Sequence, residues 1–389
     1  MEELFAYMNR QLALLESTFV RYCYQNITWE NRMLGLVGPR GVGKTTLFLQ
    51  HIKTHCDLRK TLYVTADHMY FATHTLYGLA GEFNRAGGTH LFIDEVHKYE
   101  NWSRELKAIY DAFPDMHVAF TGSSVLDIVE GSADLSRRAP IYHMQGLSFR
   151  EFLAIRHGIE IPPYSLEQIL NQEAAIPGVV HPLPLFREYL QRGYYPFGAD
   201  PDFETELSQV IARTLEVDIP QFAGMNVSTG RTLKRLLAVV STLVPFKPNM
   251  TSLGSQIQAS RNNVEDYLLW LEKSGMIAQL RTGAEGLGAL GKVDKVYLDN
   301  PNILFNLAEG RADAGTVRET FFFNQARVLH RVTASAISDF EVEGITIEVG
   351  GKSKDRHQIR DAERGFIAKD DIESGFGNVV PLWAFGLEY

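Results

Sequence analysis

Gly38-Pro39-Arg40-Gly41-Val42-Gly43-Lys44-Thr45 is the stretch whose reading decides the fold. It has the pattern G-x-x-x-x-G-K-T of a phosphate-binding loop. The apolar run Met33–Val37 before it reads as a buried strand, and Thr46–Ile52 after it reads as a helix. Strand, glycine loop and helix are the context the pattern needs. Gly38, Gly41 and Gly43 let the backbone turn its N–H groups toward an anion, and the helix N-terminus adds partial positive charge. Pro39, Arg40 and Val42 complete the loop, and Thr46 extends it into the helix. Lys44 has the reach and charge for the β and γ phosphates of a nucleotide, and the Thr45 hydroxyl suits Mg²⁺.

Downstream, Thr61–Thr65 reads as a second strand and Tyr70 to Arg85 as a helix broken by Gly87-Gly88. Thr89-His90-Leu91-Phe92-Ile93-Asp94-Glu95 then reads as a strand tipped by two carboxylates. A carboxylate at a strand tip can hold Mg²⁺, which fits Asp94, and the adjacent Glu95 can deprotonate or orient an attacking water. An acidic strand end is common by itself; one α/β unit after a phosphate loop it is specific. A helix from Glu105 to Phe113 precedes a further strand, Met116–Ser124, tipped by hydroxyls. Ser123, or alternatively Thr121, is placed to touch a γ-phosphate or the water, and a helix Ser124–Glu130 is expected next. Upstream, Leu12, Leu15, Phe19 and Cys23 recur at helical spacing, which predicts an amphipathic helix from Phe5 to Cys23.

At 389 residues the chain is too long for one ordinary core. A hydrophobic share of 45% with 22% charged residues is that of a globular protein. The net charge of −9 argues against a surface coated for non-specific nucleic-acid or membrane binding. Cys23 and Cys56 are too few for a disulfide framework or a cysteine-rich zinc site, so a reducing cytoplasm is expected. The start, Met1-Glu2-Glu3-Leu4-Phe5, lacks the apolar core of a signal peptide, and no run has transmembrane length.

The run from Gly38 to Glu151 resembles a clade of AAA-type (AAA+) P-loop ATPases of bacteria and archaea. The likeness is carried by the phosphate loop, by Phe92–Lys98 with Trp102, by Phe120–Ser124, and by Leu147-Ser148-Phe149-Arg150-Glu151-Phe152. It implies an α/β fold: a parallel AAA-type sheet, a helical lid, a winged helix and a restriction-endonuclease-like tail. It further implies ATP and Mg²⁺ as cofactors, with Lys44 and Thr45 on phosphate and metal, Asp94 on metal, Glu95 on water and Ser123 as sensor. Assembly into a homo-oligomeric ring is implied as well, with Arg138, or its rival Arg137, reaching a neighbouring subunit's nucleotide.

The expected divisions are 1–147 for the nucleotide core, 148–230 for the lid, 231–300 for the winged helix and 301–389 for the tail. Arg187, Arg192 and Arg213 are lid arginines that sequence cannot separate. In the winged helix, Ser260 is expected to cap a third helix, and Met276–Leu280 and Lys295–Leu298 to form wing strands around a linker holding Gly283, Gly286, Gly288 and Gly291. Glu265 and Asp266 on that helix would repel phosphates and leave Arg261 a poor footprint. In the tail, Asp339, Glu348 and Lys352 resemble an endonuclease metal site, but the lysine expected two residues past the second acid is replaced by Gly350, which predicts a degenerate site. Lys352, Lys354, Arg356 and Arg360, interleaved with Asp355 and Asp361, form the one basic cluster of the tail. Three readings of the task follow: weak, ATP-promoted action on DNA, a nucleotide-gated protein-interaction switch, or an ATP-dependent nuclease.

Overall fold

The computed structural model describes residues 1–16, 19–123, 135, 137–283, 292–352, 359–360 and 362–389, with only the backbone at Phe222 and Val227. The expected helix Ser124–Glu130, most of the linker glycines, and Lys354, Asp355, Arg356 and Asp361 lie outside these residues. The chain divides into two compact units, Met1–Gln145 and Gly146–Tyr389.

The first unit is built on five strands: β1 (Met33–Gly38), β2 (Thr61–Thr65), β3 (His90–Asp94), β4 (His117–Ser123) and β5 (Ile141–His143). They lie in the order β2-β3-β4-β1-β5 and every pairing is parallel. Helices α1 (Glu2–Ala13), α2 (Lys44–His55), α3 (Leu76–Arg85) and α4 (Trp102–Ala112) accompany them. A parallel sheet is covered on both faces, so its strands read as continuous apolar runs. β1 is buried along its whole length, as is most of β3. Parallel register also gathers the carboxyl ends on one edge. Gly38 stands level with Ser123, and Asp94 level with Thr65.

Two elements depart from the periodicity. The expected Phe5–Cys23 helix stops at Ala13, and a short 3₁₀ turn covers Tyr22–Asn26. The residue between them that matters is Arg21, which is extended (φ −63°, ψ 147°) and only 6% exposed. Its guanidinium donates to the carbonyls of Val42 and Gln145, each at 2.8 Å, so a tertiary demand overrides the helical pattern. The Tyr70–Arg85 stretch is likewise split into a 3₁₀ turn, Met69–Ala72, and α3, whose N-cap Thr75 accepts from the Gly78 N–H.

The second unit begins with helices Phe149–His157, Leu166–Leu170, Leu183–Arg192 and Phe203–Arg213. The first opens on a capping box, Ser148 with Glu151, in the segment that carried part of the family likeness. Helices Val227–Leu243, Met250–Ile257 and Arg261–Lys273 follow, and Ser260 caps the third by accepting from the Asn263 N–H, as expected. An antiparallel pair, β6 (Ile277–Arg281) and β7 (Val293–Leu298), comes next. Helix Ala314–Ala326 then packs on a second five-stranded sheet: β8 (Val332–Ala334), β9 (Phe340–Val342), β10 (Ile345–Gly350), β11 (Gly365–Lys369) and β12 (Val379–Pro381). β9 and β10 form a tight hairpin whose loop residues Glu343 and Gly344 both have positive φ. Its register, Phe340 opposite Ile347, sets Asp339 beside Glu348.

Candidate functional site

From the end of β1 to α2 the loop needs glycine three times, at Gly38, at Gly41 (φ 83°) and at Gly43. Gly43 adopts φ 99°, a left-handed conformation at the residue just before α2. At Gly38 a Cβ would collide with the carbonyl oxygen of Met144. Lys44 is 7% exposed and its Nζ donates to the carbonyls of Gly38 and Pro39, both at 2.8 Å. The ammonium is therefore folded over the loop, where backbone N–H groups and one charge converge.

The loop meets the β3 tip through one contact: Thr45 Oγ1 donates to Asp94 Oδ2 at 2.6 Å. Asp94 is 4% exposed. Its other partners are the Tyr63 hydroxyl at 2.8 Å, the Thr121 hydroxyl, and the Glu95 N–H at 3.0 Å. All are neutral donors, and among the described residues no ion pair reaches Asp94. Burial, and after it the Asp94 charge, pushes the neighbouring Tyr63 phenol up, so that it stays protonated and donates.

Glu95 follows in a left-handed conformation (φ 50°, ψ 40°), which costs about 1–3 kcal/mol for a residue with a side chain. Two acceptors on its N–H, Asp94 Oδ1 and Thr121 Oγ1 at 2.9 Å, hold it there. The turn aims its carboxylate at a cationic surround. Lys98 Nζ lies 2.6 Å from Glu95 Oε2, with Arg40 at 3.9 Å. Lys98 in turn pairs with Asp67 at 2.6 Å. Burial pushes the Glu95 carboxyl up, but Lys98, His97 and Arg40 outweigh it and hold it below the usual carboxylate range. Burial pushes His97 down to about 4, so its imidazole is neutral near pH 7, and its Nδ1 accepts from the Ser123 N–H at 3.4 Å.

The structure thus brings Lys44, Thr45, Asp94, Glu95, Thr121 and Ser123 to one edge of the sheet. Of the two hydroxyls weighed from sequence, Thr121 touches the acids and Ser123 stands beside Gly38. Arg138 is elsewhere. It precedes β5, which pairs in parallel from Gly35 onward, so it lies at the opposite edge, paired with Asp111 at 3.2 Å. Arg21, Tyr63, His97 and Lys98 were missed. His97 and Lys98 lie within the Phe92–Lys98 stretch of the family likeness, but their roles, like those of Arg21 and Tyr63, are revealed by their contacts.

In the second unit, Arg187 pairs with Asp371, and Arg192 donates to the Asp200 carbonyl. Arg261 is spent on Glu265, 3.3 Å away along its own helix. Lys352 and Arg360 are exposed. The tail carboxylates gather as expected, with Ser338 donating to Glu348 and the Val349 N–H to Asp339. Two further residues join them. Glu319 is one, and Lys295 of β7 is the other, with its Nζ 3.3 Å from Glu319 and 3.4 Å from Asp339. Burial and Asp339 push the Glu319 carboxyl up.

Residues 30–153 match a family model described as an AAA domain. The first unit carries an AAA domain. Residues 183–313 match a domain of unknown function, DUF8612. The chain is 24% identical over 274 residues to an uncharacterized protein of Methanocaldococcus jannaschii, covering 64% of this chain and 57% of that relative. Three solved structures align more distantly. They are the Hsp104–ADP complex of S. cerevisiae (18% identity, 70% of this chain and 37% of that one, TM-score 0.29), PCH-2 of C. elegans (15%, 68% and 68%, 0.26) and a structure described as the basis for katanin self-assembly (13%, 69% and 81%, 0.29). The family match, not these alignments, fixes the AAA assignment. Among the described residues no helix is long and apolar enough to cross a membrane.

Proposed function

We propose that the AAA domain binds ATP with Mg²⁺ and hydrolyses it. The observation that carries this reading is the 2.6 Å contact between Thr45 and Asp94, which joins the phosphate loop to the acidic strand tip. Both are hard oxygen donors, and Asp94 meets no cation among the described residues, so the pair fits a divalent ion. Mg²⁺, when bound, would be held by Thr45 and Asp94 and would offset phosphate charge. Residues Gly38 to Thr46 cradle the phosphates, and Lys44 turns from its own carbonyls to the β and γ oxygens. Glu95 takes a proton from the attacking water, and Ser123 orients the γ-phosphate or that water. Lys98 positions Glu95 through the chain Asp67–Lys98–Glu95. Lys44→Ala in the full chain is expected to abolish tight ATP binding. Unchanged binding by titration calorimetry overturns the assignment.

The same proposal includes assembly into a homo-oligomeric ring in which Arg138 serves the adjacent subunit. Its guanidinium is part-exposed, ion-paired to Asp111 and set over the Tyr110 ring, and a part-exposed ion pair of this kind is weak enough to exchange. Arg138→Ala is expected to bind ATP, lose turnover and recover part of it when mixed with Lys44→Ala. Absence of rescue while oligomers persist removes the trans role.

For the coupled task we propose weak, ATP-promoted, sequence-independent DNA binding by the basic cluster of Lys352, Lys354, Arg356 and Arg360. Exposed Lys352 and Arg360 support it. Such binding falls steeply with salt because each phosphate contact releases a counterion. Anisotropy of a labelled duplex should show binding with ATP at low salt, lost on changing Lys352, Lys354 and Arg356 to Ala. The second reading, a nucleotide-gated protein-interaction switch, is favoured by the Arg261–Glu265 pair, which spends Arg261 on a carboxylate of its own helix. Absence of DNA binding at low salt selects it. Both readings are cytoplasmic.

A further inference from the structure

Between α1 and β1 the chain is tied to α2 and to the phosphate loop. The Phe19 carbonyl accepts from Gln50 Nε2 at 2.8 Å, and the Tyr24 hydroxyl bonds His51 Nδ1 at 2.8 Å. Gln50 and His51 both belong to α2. Arg21 stands between these two ties and reaches the loop itself. Its Nη1 donates to the Val42 carbonyl and its Nη2 to the Gln145 carbonyl, each at 2.8 Å. One planar group thus joins the middle of the loop to the chain that leaves β5. A neutral donor could satisfy one carbonyl without taking a charge out of water. The guanidinium fork satisfies two at once and holds them at a fixed separation.

The carbonyl it holds decides where the next N–H points. In a trans peptide the C=O of one residue and the N–H of the next lie on opposite sides of one plane. A Val42 carbonyl drawn toward buried Arg21 therefore turns the Gly43 N–H the other way. Burial agrees with that orientation: Val42 is buried, while Gly43 is half-buried and Gly41 exposed. Among the described residues no acceptor meets the Gly43 N–H. Gly43, at φ 99°, has no side chain to fix this plane, and glycine moves readily to other conformations. The tie from Arg21 supplies the constraint that the glycines lack. Its charge also polarises the Val42–Gly43 peptide, which makes the N–H a stronger donor.

We propose that Arg21 is a positioning residue of the nucleotide site: by holding the Val42 carbonyl it presets the Gly43 N–H toward the polyphosphate of a bound nucleotide. This rests on the reading of Gly38 to Thr46 as the phosphate cradle.

The test is titration calorimetry of the full chain with ATP and Mg²⁺, together with the Gly43 amide resonance of ¹⁵N-glycine protein, assigned through ¹³C at the preceding valine carbonyl. Wild type should bind ATP and shift that resonance, and Lys44→Ala should not bind. Arg21→Gln should weaken ATP by about tenfold, the loss expected for a charge-assisted hydrogen bond, with the number of sites per chain retained. Its Gly43 resonance should already be displaced before nucleotide is added. A purely structural role would instead lower the number of competent sites and leave their affinity unchanged. Arg21→Lys keeps the charge but brings one ammonium to two carbonyls, and should weaken ATP by about threefold. It decides the matter if Arg21→Gln does not fold. Wild-type affinity in either variant, a Gly43 resonance left in place by Arg21→Gln, or sites lost at unchanged affinity overturns this proposal alone. Failure of the wild type to bind ATP, or unchanged binding by Lys44→Ala, overturns the phosphate-cradle reading and this proposal with it.

Discussion

Asp94 in the first unit and Asp339 in the second are both carboxylates at the edge of a five-stranded sheet, each beside a glutamate. Their surroundings differ in one respect. Among the described residues Asp94 is met only by neutral donors, from Thr45, Tyr63, Thr121 and the Glu95 backbone. Asp339 shares Lys295 with Glu319. A hydrogen-bonded but uncompensated carboxylate keeps its attraction for an external cation. One paired with a lysine has already been offset. Acidic residues at a strand end therefore do not define a metal site; the sign of what surrounds them does. In the tail, Lys295 supplies that offsetting charge to both Glu319 and Asp339.

The sharpest way to break the comparison is paired substitution. Glu95→Gln is expected to keep ATP binding and lose roughly 10²–10⁴-fold in turnover, because an amide takes no proton. Glu348→Ala is expected to change neither turnover nor the fate of plasmid DNA, which stays intact with Mg²⁺ or Mn²⁺. Cleavage abolished by Glu348→Ala would show that both clusters are catalytic.

Next in size is Lys295→Met. It leaves Glu319 and Asp339 facing each other without their cation. The pair is part-buried, so a loss on the order of 2 kcal/mol in the second unit is expected by denaturant unfolding, less than for a fully buried pair. Calorimetry with Mn²⁺ sharpens the point. If Lys295 alone blocks the cluster, the variant gains binding that the wild type lacks.

The pH dependence of stability should differ between the units in sign. His97 and His51 fall to about 4 in the folded first unit, below the value of about 6.5 for a free imidazole. Their contribution is present above 6.5 and is lost as pH falls toward 4. His330 in the second unit is raised to about 9 by its hydrogen bond to Glu388, against burial and with help from Glu343. Its contribution is present below 6.5 and is lost as pH rises through 9. Hydrogen exchange resolved by unit should show the first loosening at pH 5 and the second at pH 9. The same response in both units would remove the distinction.

The smallest effect concerns Lys98. Lys98→Gln removes the cation nearest Glu95 and should move the acidic limb of the turnover–pH profile upward while leaving ATP affinity within about threefold. An unmoved limb with lower turnover would make Lys98 merely structural.

Local chemistry alone wrote much of this protein. The glycine spacing from Gly38 to Gly43, the apolar runs of β1, β3 and β4, and the hydroxyl N-caps Ser148 and Ser260 act within a few residues, so the nucleotide edge was legible before any contact was known. What sequence could not supply is anything that depends on partners far along the chain. Arg21 breaks an otherwise periodic helix because the carbonyls of Val42 and Gln145, 21 and 124 residues away, need a donor. Tyr63 and Thr121 are tied to Asp94 only by strand order, and Lys295 reaches Glu319 and Asp339 only because β7 runs past them. Periodicity reports which face of an element is apolar; the charge that meets a given carboxylate is decided by packing, and packing is where Asp94 and Asp339 part.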